Sequence, residues 1–139
     1  DRSDGIGISF INQSEPGPQK RLFAVKFFKD DLNLIIAGGW DRSIFIYDIR
    51  EKGGPAYHIF GPELCSNAID SCQNMIVTGL IDLLIRFKFG IFETTEIQTV
   101  EYDYNSTYSE NAYLNIANFS KSGDLIFAGG KSQEIKIFD

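Results

Sequence analysis

Apolar side chains in this chain fall into short runs separated by glycine, proline and small polar residues, and inside several runs they alternate. Ile6, Ile8 and Phe10 occupy every second position, the period of a β-strand. Residues 14–20 hold two prolines around a glycine and read as loop. Residues 22–28 form the next strand, and Lys29-Asp30-Asp31-Leu32-Asn33 a polar turn. The apolar run that Leu34 opens breaks at Gly38-Gly39 and a short polar turn, Trp40-Asp41-Arg42-Ser43, and resumes as Ile44-Phe45-Ile46-Tyr47-Asp48. Two β-branched runs around a Gly/Asp turn predict a β-hairpin.

The same hairpin returns twice. Ile76-Val77-Thr78-Gly79-Leu80-Ile81-Asp82 leads into Leu83-Leu84-Ile85, and Ile126-Phe127-Ala128-Gly129-Gly130 leads into Ile135-Lys136-Ile137-Phe138-Asp139. Aligned on Gly38, Gly79 and Gly129, the spacings are 79 − 38 = 41 and 129 − 79 = 50. A period of roughly 40–50 residues built on a glycine-bearing hairpin is the mark of a propeller or repeat array. Further strands are expected at 56–60, 67–72, 95–102 and 113–119, and no stretch shows a helical period. The chain therefore reads as all-β, with about three blades' worth of four-stranded antiparallel units.

Asn118-Phe119-Ser120-Lys121-Ser122-Gly123-Asp124-Leu125-Ile126-Phe127-Ala128-Gly129-Gly130, followed by Ile135-Lys136-Ile137-Phe138-Asp139, closely resembles the WD-repeat β-propeller family. The aromatic–Asp ending of that repeat stands at Tyr47-Asp48 and Phe138-Asp139, and its turn aspartate at Asp41 and Asp82. Gly38, Asp41, Gly79, Asp82 and Gly129 are then the structural turn positions. The Gly-His opening of the family's repeat is absent from all three units, and its Trp position holds Tyr47, Lys88 and Phe138. The Ser–His–Asp–Trp hydrogen-bond network of a standard blade cannot form, so apolar packing between sheets is expected to hold these blades together. The resemblance divides residues 1–139 into an outer strand of a preceding blade plus loop (1–20), a blade (21–61), a second blade (62–103) and three strands of a third (104–139). Propellers close with roughly four to eight blades, so a piece of a longer propeller, completed by further blades of the same protein, is expected.

Composition narrows the functional classes. With 13 Lys and Arg against 19 Asp and Glu the formal net charge is −6, which disfavours nucleic acid and anionic membrane surfaces as partners. No apolar run is long enough to span a bilayer, so membrane insertion is not expected. Cys65 and Cys72 read as reduced thiols of a cytoplasmic protein, and with His58 they fall short of a zinc set. His58, the sole histidine, has no telling neighbours for nucleophilic or acid–base work. Gly38-Gly39 and Gly129-Gly130 precede strands rather than helices and form no phosphate loop. No enzyme activity, cofactor or metal is expected.

What remains is recognition of other proteins. Trp40 and Arg42 are residue types enriched at binding hot spots, and Leu80, Ile81 and Leu83 make the equivalent turn of the next unit unusually apolar. The resemblance places both turns on one face of the propeller. On that face the loop carrying Tyr102, Tyr104 and Tyr108 among acidic residues could take a basic peptide. The expected function is a non-catalytic interaction scaffold in a multiprotein assembly. The alternatives are a structural component of a cytoskeletal or ciliary assembly, and an enzyme or ligand-binding propeller with its site in other blades.

Overall fold

The computed structural model describes residues 17–51, 53–61, 63–73, 75–80, 83–88, 96–101, 114–130 and 135–139, with 80, 83–88 and 96–101 described by backbone and register. These residues are strands and connections, and no helix occurs among them. Strands β1 (Leu22–Phe27), β2 (Leu34–Gly39), β3 (Ser43–Asp48) and β4 (Tyr57–Phe60) form one sheet in that order. Strands β5 (Ile69–Cys72), β6 (Met75–Leu80), β7 (Leu83–Lys88) and β8 (Glu96–Glu101) form the second. Strands β9 (Leu114–Phe119), β10 (Ile126–Gly130) and β11 (Ile135–Phe138) form the third. Every neighbouring pair is antiparallel, so each sheet is a meander of the kind that makes a propeller blade. The fold is all-β, as the recurring hairpins predict. The strand expected around Ile8 lies outside the described residues.

The sheets are joined through two apolar layers. Ala24, Phe28, Ile36, Ile44, Ile46 and Ile59 of the first sheet meet Ile69 and Ile76 of the second, with Leu64 inserted from the connecting segment. On the other face of the second sheet, Ala68, Cys72 and Val77 meet Leu114, Ala117, Phe119, Ile126 and Ala128 of the third. Strands β5 and β6 supply residues to both layers because successive side chains point to opposite faces. That is why 75–79 reads as a run rather than an alternation. Each fully buried isoleucine contributes about 1.5–3 kcal/mol. The outward faces are different: Val25 and Phe27 on β1, and Ile135 and Ile137 on β11, are exposed.

Gly38, Gly79 and Gly129 were expected in the turns but lie inside β2, β6 and β10. The reason is close approach, not turn geometry. A Cβ on Gly38 would fall 2.5 Å from Leu64 Cδ1, and one on Gly79 would fall 2.8 Å from Leu114 Cβ and 3.1 Å from Ala68 Cβ. Leu64 and Leu114 each lead into the next blade, so these glycines clear its entry. Gly39 is tighter still: a Cβ there would collide with the Arg21 carbonyl oxygen and sit 2.8 Å from Leu22 Cα, both backbone atoms that cannot swing away. At Gly129 a Cβ would meet nothing within 4 Å. The same substitution should therefore have opposite signs at two sites. Gly39→Ala is expected to destabilise by about 2–3 kcal/mol, whereas Gly129→Ala is neutral or stabilises by up to about 1 kcal/mol. Urea unfolding of the two variants checks this, and equal effects would contradict it.

Candidate functional site

The β2–β3 connection is three residues, Trp40-Asp41-Arg42, with Arg42 in the left-handed region at φ 53°. A three-residue hairpin loop ends on a left-handed residue, and a non-glycine there carries about 1 kcal/mol of strain. Three contacts hold the loop. The Trp40 N–H donates to the Arg21 carbonyl at 3.1 Å, the Lys20 N–H donates to Asp41 Oδ2 at 3.1 Å, and Arg42 Nε pairs with Glu63 Oε1 at 3.0 Å. The Trp40 ring rests on Phe23, centroids 5.4 Å apart and planes tilted by 49°, and the Arg21 guanidinium lies over it at 5.5 Å. Even so, 41% of Trp40 remains exposed. An indole and two guanidiniums thus share one end of the first blade.

A second constellation sits where β1, β5 and β9 converge, and it was not anticipated from the sequence. Asp70 on β5 is 5% exposed. Its Oδ2 accepts from Lys29 Nζ at 2.7 Å and from the Phe119 N–H at 2.9 Å, while Lys26 Nζ lies 3.8 Å from Oδ1. Lys26 also donates to Asn118 Oδ1 at 2.7 Å, and Lys29 stands 5.9 Å over the Phe119 ring. Burial pushes the Lys26 ammonium below the usual lysine range, Asp70 opposes that, and Lys29 adds to it. The adjoining turns are tied as well: the Gln73 N–H donates to Asp30 Oδ2, and Gln73 Nε2 donates to Ser122 O at 3.1 Å. Polar bonds therefore run from the first blade through the second to the third.

Lys26, Asp70 and Asn118 are equivalent positions. Each pairs with the residue two before a hairpin glycine: Lys26 with Ile36, Asp70 with Val77, Asn118 with Phe127. Counted along the chain the relation is hidden, because the distances to the glycine are 38 − 26 = 12, 79 − 70 = 9 and 129 − 118 = 11. The signal available was a polar residue inside each apolar inner strand.

A family model described as "WD domain, G-beta repeat" matches residues 12–48, the stretch that holds β1–β3 and closes on Tyr47-Asp48. The match supports a WD-repeat assignment. A comparison with curated proteins returned no match. In the WD-repeat frame, Thr78 occupies the Ser/Thr position before the hairpin glycine, and its Oγ1 is buried with no hydrogen-bond partner among the described residues. The hydroxyl has kept its place while the histidine it would bond is absent from the unit.

Other predicted positions fall as follows. Trp40, Asp41 and Arg42 are brought together with Lys20, Arg21 and Glu63. Leu80 and Leu83 end β6 and begin β7 and are paired in register, their side chains lying outside the description. Ile81, Asp82, Tyr102, Tyr104 and Tyr108 lie outside the described residues. His58 is exposed on β4 opposite Phe45. Cys65 is exposed and Cys72 buried, and burial pushes the Cys72 thiol up. Arg50 holds the Asp48 carboxyl below the usual carboxylate range through hydrogen bonds from its side chain and backbone. Among the described residues no group of three or more His, Cys, Asp or Glu is placed to hold a metal ion, and no helix is long and apolar enough to cross a membrane.

Asp70→Ala removes the acceptor of two strong bonds and leaves the Phe119 N–H buried without a partner. It is expected to destabilise the chain by about 2–4 kcal/mol. Asp70→Asn, which keeps an acceptor for the amide, should cost less than half of that. Denaturant unfolding of both variants checks the order, and an unchanged midpoint in Asp70→Ala would contradict it.

Proposed function

We propose that the chain is a non-catalytic scaffold of a cytoplasmic multiprotein assembly, which binds partner proteins at the Trp40 end of its blades. WD40 repeats generally mediate protein–protein interactions. The observation that carries the reading is the Trp40 turn itself. A large indole is kept 41% exposed on a rigid three-residue loop, flanked by Arg21 and Arg42. Trp and Arg are the residues most often found at binding hot spots, and a loop fixed by backbone bonds loses little entropy on binding. The mechanism is rigid presentation of loops with no covalent chemistry.

The exposed apolar outer faces support a further part of the reading. Val25 and Phe27 on one side, and Ile116, Ile135 and Ile137 on the other, repeat on the outer sheets the kind of surface that the inner faces bury. Further blades of the same protein are their proposed cover.

Replacing Trp40 by Ala together with Arg42→Glu is expected to lower recovery of co-purifying partners from native cells about tenfold or more, with a melting temperature within a few degrees of wild type. Quantitative mass spectrometry of the purified assemblies reads the first and calorimetry the second. Unchanged recovery would overturn the proposed face, and a collapse of melting would assign Trp40 to the propeller's own packing.

A further inference from the structure

Charge around the Trp40 turn is balanced on a chain that is acidic overall. Arg21 and Arg42 bring two guanidiniums to the turn beside the carboxylates of Asp41 and Glu63, a local balance of 2 − 2 = 0 on a chain of 13 − 19 = −6, with Lys20 next to Arg21 along the chain. The acids of the patch are already engaged: Asp41 accepts the Lys20 backbone N–H, and Glu63 pairs with Arg42. Among the described residues neither Lys20 nor Arg21 has an ion-pair partner. The Arg21 guanidinium lies over the Trp40 ring, and its carbonyl accepts the Trp40 N–H. A guanidinium stacked on an indole keeps its N–H edge free, in the planar fork that fits a carboxylate with two parallel bonds.

We infer that the Arg21–Trp40 stack is a carboxylate-binding platform for an acidic segment of a partner protein. The carboxylate meets the edge of Arg21, Lys20 adds long-range attraction, and the exposed part of Trp40 packs against an apolar side chain next to the acid. Phosphate-rich partners fit less well. Their charges are continuous and one arginine meets only one of them, with no apolar side chain offered to the indole. An extended acidic peptide with interleaved apolar residues matches both halves of the platform. This inference rests on reading the Trp40 turn as a partner-binding surface and adds the partner's chemistry.

Trp40 is the only tryptophan of the 139 residues, so its emission reports on the platform directly. The test titrates the chain with a twelve-residue peptide of alternating glutamate and leucine, with its lysine–leucine counterpart, and with single-stranded oligothymidylate. The expected result is a saturable change in Trp40 emission with the glutamate peptide alone, weakening as salt rises from about 0.05 to 0.5 M. Arg21→Glu should weaken binding at least about tenfold, and Arg21→Lys should lie between it and wild type. Arg21 is exposed, so both variants are expected to melt as wild type does. An equal response to the lysine peptide, tighter binding of oligothymidylate, or no effect of Arg21→Glu would each overturn the inference. If the glutamate peptide fails while the Trp40 and Arg42 substitutions still abolish partner recovery, the acidic partner is wrong and the scaffold reading stands. If neither responds, both fall.

Discussion

One carboxylate, that of Asp70, joins the three innermost strands of this chain. It is buried on β5, takes a proton donor from the end of β1 through Lys29, and takes the backbone N–H of Phe119 on β9. A buried carboxylate without partners costs several kcal/mol, so the arrangement is favourable only when all three strands are in place. The apolar layers on either face of the second blade supply bulk stabilisation, but they are tolerant of small sliding movements. Asp70 is not, because two bonds of 2.7 and 2.9 Å fix the inner strands in register. The bonds from Gln73 to Asp30 and Ser122 repeat the device one turn away.

This seam is a polar tie between blades. With no histidine in the repeat opening and no terminal Trp, apolar packing was expected to hold the blades together. Packing does much of this, as the fully buried Ile36, Ile44, Ile46, Ile69 and Ile76 show. Polar bonds between blades add to it. Thr78 Oγ1 is buried with no hydrogen-bond partner among the described residues.

The hairpins were legible because glycine, turn residues and β-branched runs recur in one order, and strand limits follow from local alternation to within a residue or two. The glycines were misplaced because a sequence shows that a side chain is missing, not what fills its space. Gly38 and Gly79 are strand residues that clear Leu64 and Leu114, contacts set by the packing of the following blade. Lys26, Asp70 and Asn118 were hidden for a related reason. Turns of unequal length put them 12, 9 and 11 residues before their glycines, and pairing alone brings them level. Trp40 and Arg42 were legible as candidate site residues from residue type and turn position. Arg21, on the neighbouring strand edge, was not, since only the fold lays it over the indole.

The inter-blade role of Asp70 is tested most directly at the Phe119 amide. That N–H points away from the β9–β10 ladder and its partner is Asp70 Oδ2 at 2.9 Å. Hydrogen exchange followed by NMR should find it protected like the ladder amides, with protection lost in Asp70→Ala while the amide of Ala128 stays slow. A Phe119 amide that already exchanges at the rate of an exposed loop in the wild-type chain would contradict the account.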